Sequence, residues 1–121
     1  MILTILPDEF TVCKLADCTQ VDLRNPFTFL SVTDDEISLV CYTAAVPANA
    51  THAKHNWRAL KIEGELDFAL VGIIARIAGL LAAGSISVFV VSTYNTDYIL
   101  VQKQSLPSAI AILKSDGCQF A

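Results

Sequence analysis

A chain of 121 residues with 54% hydrophobic and 17% charged residues is too apolar for intrinsic disorder, and it is long enough for one ordinary domain or two very small modules. Eight basic residues against twelve acidic ones leave a net charge of −4. This excludes a nucleic-acid partner, because phosphate contacts need clustered cations, and apolar content this high predicts burial against a second copy of the chain, a homodimer.

Taken in order, residues 1–6 carry no basic start and stop at Pro7. No secretory leader is expected, and the compartment read from the chain is cytoplasmic. Residues 10–15 alternate as a strand, with residues 1–6 as a separate candidate partner strand. Residues 16–25 are polar and break the pattern. Residues 27–32 and 37–42 read as a hairpin around Thr33-Asp34-Asp35-Glu36. Residues 43–56, Ala-rich with Pro47, Asn49 and two histidines, read as an irregular joint with one helical turn.

The second half is patterned more sharply. Residues 57–63 form a strand. Residues 68–83 predict a helix whose apolar face holds Leu70, Ile73, Ile74, Ile77, Leu80 and Leu81. Asp67 is its expected N-cap, with Leu66 and Val71 as a staple, and Gly84 its expected C′ residue. Residues 86–92 and 97–101 form a second hairpin. A helix opens at Leu106-Pro107, with Ser105 as its cap, and Gly117 ends it. Residues 118–120 close as a short strand. Residues 68–91 are the one stretch long enough to span a membrane, but Arg76 sits near its middle and Gly84-Ser85 interrupts it, so a buried helix and strand are expected and no membrane partner.

The order over 57–120 is β-α-β-β-α-β, an α+β, ferredoxin-like arrangement. An internal repeat aligns Ser31 to Val40 with Ser92 to Val101, each a hairpin ending in Leu-Val. Two related modules are therefore expected, an N-terminal reduced one over 1–56 and a C-terminal one over 57–121.

Enzyme and metal chemistry find no support in the spacing. His52 and His55 are three apart, and Cys13 and Cys18 five apart, in separate segments. No metal, no cofactor and no catalytic residue is expected. The cysteines form no CxxC pair and are expected as reduced, buried thiols.

Three runs carry a family resemblance: Trp57-Arg58-Ala59-Leu60-Lys61-Ile62-Glu63-Gly64-Glu65-Leu66-Asp67-Phe68, Gly72-Ile73-Ile74-Ala75, and Ser92-Thr93-Tyr94-Asn95-Thr96-Asp97-Tyr98-Ile99-Leu100-Val101. Together the chain resembles the small bacterial tandem ACT-domain proteins, related to the aspartate-kinase regulatory region and the CASTOR arginine sensors. The resemblance implies two ACT modules in a continuous antiparallel sheet with helices on one face. It also implies regulatory binding of a free amino acid without catalysis, and a possible role beside a partner enzyme. The alternative is a ligand-free dimerisation or interaction module.

A free amino acid needs donors for its carboxylate and acceptors for its ammonium. The start of the helix after Gly64 offers backbone N–H groups, and Asp97 offers a carboxylate. By resemblance, Gly64, Glu65, Leu66 and Asp67 face either Thr33 and Asp34 or Ser92, Thr93 and Asn95. Each residue also has a plainer role. Asp67 reads as a cap, Gly64 as a turn glycine, and Asp97 as a holder of its own turn.

Overall fold

The computed structural model describes residues 1–63 and 72–121. Its strands are β1 (Ile2–Leu15), β2 (Phe29–Val32), β3 (Ile37–Tyr42), β4 (Ala50–Ile62), β5 (Val88–Ser92), β6 (Asp97–Gln102) and β7 (Gln119–Phe120). Its helices are α1 (Ile73–Ala83) and α2 (Leu106–Ser115), with single 3-10 turns at Thr43–Ala45 and Lys103–Ser105. The chain divides into two compact units, Asp8–Trp57 and a second made of Met1–Pro7 with Arg58–Ala121.

In the first unit the strand order is β2-β3-β1-β4. Its β1 and β3 segments pair antiparallel from Phe10 opposite Tyr42 to Lys14 opposite Ser38. Cys13, Leu15, Leu39 and Cys41 are buried together, with Val21, Leu30 and Val46 packed on them. No α-helix occurs among these residues. The physical reason lies in the polar stretch after β1. Asp17 accepts from the Thr19 amide at 3.0 Å, Asp22 accepts from the Arg24 amide at 3.0 Å, and the Thr28 hydroxyl donates to the Asn25 carbonyl at 2.8 Å. Such local bonds favour turns over helix, and Pro26 adds a further stop.

The second unit carries both helices. Its order is β1-β4-β6-β5, with β7 on β1. The β7 ladder is parallel, Ile2 opposite Gln119 and Leu3 opposite Phe120. One sheet face buries Leu3, Leu60, Ile62, Ile99 and Val101 beneath Ile77 and Leu81 of α1 and Leu106, Ala109 and Leu113 of α2. The α+β class and the two-helix layer match the expectation from the sequence.

Several boundaries differ from those the pattern predicts. Residues 1–6 are not a partner strand for 10–15 but the front of the same strand, β1. Pro7, which lacks an N–H, falls between the β7 register at Ile2–Leu3 and the β3 register at Phe10–Lys14. The joint expected over 43–56 holds its one helical turn, a 3-10 turn at Thr43–Ala45, but from Ala50 it is already strand β4. The helix expected over 68–83 begins at Ile73, because Gly72, at φ 88°, is left-handed. The expected cap Asp67 and staple Leu66 and Val71 lie outside the described residues. Ser105 precedes α2 without a capping side-chain bond.

The end of α1 is also different. Ser85, not Gly84, takes the left-handed conformation, at φ 60°. The Ser85 amide donates to the Ala82 carbonyl and the Ile86 amide to the Leu81 carbonyl, both at 2.9 Å, which closes a Schellman motif. Gly84 packs closely instead: a Cβ there would lie 2.5 Å from Ile112 Cδ1 of α2, so a larger residue would make the end of that side chain shift. At α2 the left-handed residue is Gly117, as expected.

The repeat exists, one residue out of the alignment read from the sequence. Val32 pairs with Ile37 as Ser92 pairs with Asp97, and Phe29 with Val40 as Phe89 with Leu100. Thr33 therefore corresponds to Thr93, not to Tyr94. Each begins a turn in which its amide donates to the carbonyl three residues on, at 3.0 Å for Thr33 to Glu36 and 2.8 Å for Thr93 to Thr96.

Candidate functional site

The β5–β6 hairpin end gathers four of the residues named from the sequence. Ser92 and Asp97 face each other across the last ladder position, and the Ser92 hydroxyl donates to Asp97 Oδ1. Asp97 is only 9% exposed. Among the described residues it takes part in no ion pair. A carboxylate this buried, with one side-chain hydroxyl partner among the described residues, is favourable only if a cation or further donors complete it. Thr93 Oγ1 donates to the Thr96 carbonyl at 3.0 Å and accepts from the Thr96 amide at 3.3 Å. Asn95 is exposed, as is Tyr94, at 88%.

Thr96 belongs to the same hairpin end, and pattern reading takes it only as a turn residue. Its side chain is buried, and its Oγ1 donates to the Ile62 carbonyl at 2.6 Å. Ile62 ends β4, and the next amide, that of Glu63, donates to the Ile2 carbonyl at 2.9 Å. The end of β4 is thus pinned on both sides where the chain leaves the sheet. Gly64, Glu65, Leu66 and Asp67 follow directly in the chain and lie outside the described residues. Thr33 and Asp34, both exposed, belong to the turn of the first unit. Val32 and Ile37 stand there in the places of Ser92 and Asp97.

The histidines and cysteines occupy other places. His55 Nδ1 lies 2.8 Å from Thr11 Oγ1, which lies 2.9 Å from Thr43 Oγ1. His52 Nδ1 lies 3.0 Å from the Thr51 hydroxyl. Among the described residues no three His, Cys, Asp or Glu side chains converge as metal ligands. A cavity of about 130 Å³ is lined by Met1, Arg76, Ile77, Asp116, Gly117 and Cys118, none of them a residue named for ligand binding. Its charged groups already satisfy each other, Arg76 Nε donating to Asp116 Oδ2 at 2.8 Å. Among the described residues no helix is long and apolar enough to cross a membrane.

Cys13 and Cys41 are buried, whereas Cys18, expected buried, is exposed within the polar stretch. Burial pushes the Cys41 thiol from its ordinary value of 9.0 to about 12, and raises Cys13 as well. Thiolate is the reactive form, so at pH 8 a thiol reagent should label Cys18 rapidly, and Cys13 and Cys41 only after denaturation. Rapid labelling of either in the native chain would contradict this burial. The same shift sets a sign. Between pH 9 and about 12 the unfolded chain releases the Cys41 proton while the folded chain keeps it. The contribution is fully present below pH 9 and is lost as pH rises towards 12. Cys41→Ala should flatten that part of the stability curve.

Comparison with known proteins places this geometry. A model of the ACT domain matches residues 52–115, just over half of the chain, from within β4 to the end of α2. Over 64 residues the chain is 44% identical to the Bos taurus protein named cytosolic arginine sensor for mTORC1 subunit 1, covering 50% of this chain and 20% of that protein. The chain thus spans about a fifth of the length of the curated relatives it matches. A solved structure from Agrobacterium tumefaciens aligns with a TM-score of 0.87 at 27% identity, covering 99% of this chain and 91% of that one. The ligand-free regulatory subunit of aspartate kinase from Thermus thermophilus aligns with a TM-score of 0.62 at 8% identity, covering 93% and 95%. That last likeness is one of fold.

Proposed function

The chain belongs to the ACT-domain family, and from that membership we propose that it is a non-catalytic regulator that binds a free amino acid between the end of β4 and the β5–β6 hairpin. The observation that carries this reading is Asp97, a buried carboxylate with a hydroxyl partner and no cation among the described residues, inside the family-matched half. In this reading Asp97 receives the ligand's positive group by a charge-assisted bond. Ser92 orients Asp97, and residues 64–67, which the family resemblance names and which lie outside the described residues, are the proposed partners of the ligand carboxylate. Arginine is the first ligand to try, because the relatives at 44% identity are named as arginine sensors. Their cytosolic naming supports a cytoplasmic site of action.

Regulation by such a site requires two arrangements with different affinity for the ligand. A partner enzyme or a second copy of the chain would supply the arrangement that changes. One observation favours a second reading, a ligand-free interaction module. Strand β5 ends the strand order, and its Val88-Phe89-Val90-Val91 run carries no charge to guard that edge.

A thermal-shift screen of the twenty amino acids separates the two. A ligand at a hundredfold excess over its Kd stabilises by about 2.7 kcal/mol, roughly 10 °C for a chain of this size. One amino acid, with arginine favoured, should raise Tm progressively with its concentration. A flat response to all twenty would overturn the ligand reading in favour of the module.

A further inference from the structure

We infer that Thr96 is the positioning residue of this site, its hydroxyl locking the end of β4 to the hairpin that presents Asp97; the inference rests on the ligand reading above. The duplication within the chain supplies an internal control. Both hairpins close with the same turn, in which the first threonine, Thr33 or Thr93, bonds the amide and carbonyl three residues on. In the first unit the residue at that far position is Glu36, which is exposed. The ladder pair beside it is Val32 with Ile37. The turn therefore forms without a buried threonine in the place of Thr96 and without a Ser–Asp pair. Those three side chains in the second hairpin exceed what the turn requires.

What they add is directional. The Thr96 hydroxyl reaches across to the Ile62 carbonyl at 2.6 Å, one residue before the Glu63 amide bonds Ile2. Its immediate neighbour Asp97 points its carboxylate at Ser92. One residue thus joins the end of β4 to the carboxylate that the ligand meets. A ligand that binds beside Asp97 and the end of β4 needs their separation set before it arrives, since positional freedom left in the free protein is lost on binding. Removing the hydroxyl also leaves a strand-end carbonyl without its donor. Of the two hairpins, only the second carries this set among the described residues, and in this reading Thr33 and Asp34 stand outside it.

The test compares Thr96→Val, which keeps the shape and loses the donor, with Thr96→Ser, which keeps the donor. Binding is measured by calorimetry with the amino acid that raises Tm most, alongside the Tm of each free variant. Thr96→Val should weaken binding about tenfold, Thr96→Ser should stay within about threefold of the parent, and Thr33→Val should leave affinity unchanged. A Thr96→Val chain with lowered Tm and unchanged Kd makes the hydroxyl merely structural and overturns the inference, while the ligand reading stands. Equal weakening by Thr96→Val and Thr96→Ser overturns it as well. If the parent binds no amino acid, the ligand reading fails and the inference with it. That outcome is distinct because the parent titration itself is then flat.

Discussion

Replacing Ile77 by aspartate should abolish the cooperative unfolding transition of the unit that holds both helices. Ile77 is 2% exposed in the α1 face that covers Leu60, Ile62, Ile99 and Val101. Truncating such a side chain to alanine costs about 2–5 kcal/mol through lost transfer energy and the cavity left behind. Aspartate adds the desolvation of a charge with no cation in this cluster, which takes the cost further. Native stabilities run to about 5–15 kcal/mol in all, so the sum consumes most or all of it. Circular dichroism against temperature should show a sloping signal without a midpoint. A cooperative transition within about 5 °C of the parent's would mean that Ile77 is not in the core. As a control, Ile77→Val should shift the midpoint by only a few degrees, since it removes one methylene.

The second large effect is on binding. Asp97→Asn should remove the ligand-induced rise in Tm while leaving the free chain close to the parent. The substitution keeps the shape and an acceptor for the Ser92 hydroxyl, so the hairpin end retains its bond. It removes the charge that the proposed ligand's ammonium or guanidinium meets. A charge-assisted bond in a buried place is worth about 3 kcal/mol, which is about a hundredfold in Kd. Titration of Asp97→Asn should therefore require about a hundredfold more ligand for the same shift. An unchanged titration would return Asp97 to the plainer role of holding its turn.

Much of the architecture is legible in the sequence because its signals are periodic. Ile73, Ile77 and Leu81 mark a helix face, and the alternation over 97–101 marks a strand whose Ile99 and Val101 enter the core. What stays hidden has no periodic signal. The first half of β4, from Ala50 to Asn56, is mostly exposed on both sides, so no apolar alternation announces it. Pro7 reads as a break and is instead tolerated within β1. Ser85 takes a left-handed conformation beside a glycine that would suit it better, and no pattern in the sequence announces that. The repeat slips by one because matching the acids Glu36 and Asp97 is compositional, whereas the turn threonines Thr33 and Thr93 set the true register.

The candidate site divides in the same way. Asp97 stands out in a sequence as an acid in an otherwise apolar strand. Thr96 does not, since a threonine in a turn is ordinary and only its contact with Ile62 distinguishes it. Thr33 and Asp34 look equivalent to the second turn on paper. At the ladder positions beside them stand Val32 and Ile37, where the second hairpin has Ser92 and Asp97.

Calorimetric titration of the chain with the amino acid that stabilises it most tests the central claim directly. The account predicts saturable binding of one molecule per chain that Asp97→Asn weakens about a hundredfold. A titration without saturable heat for any of the twenty amino acids, or binding that Asp97→Asn leaves unchanged, would contradict it.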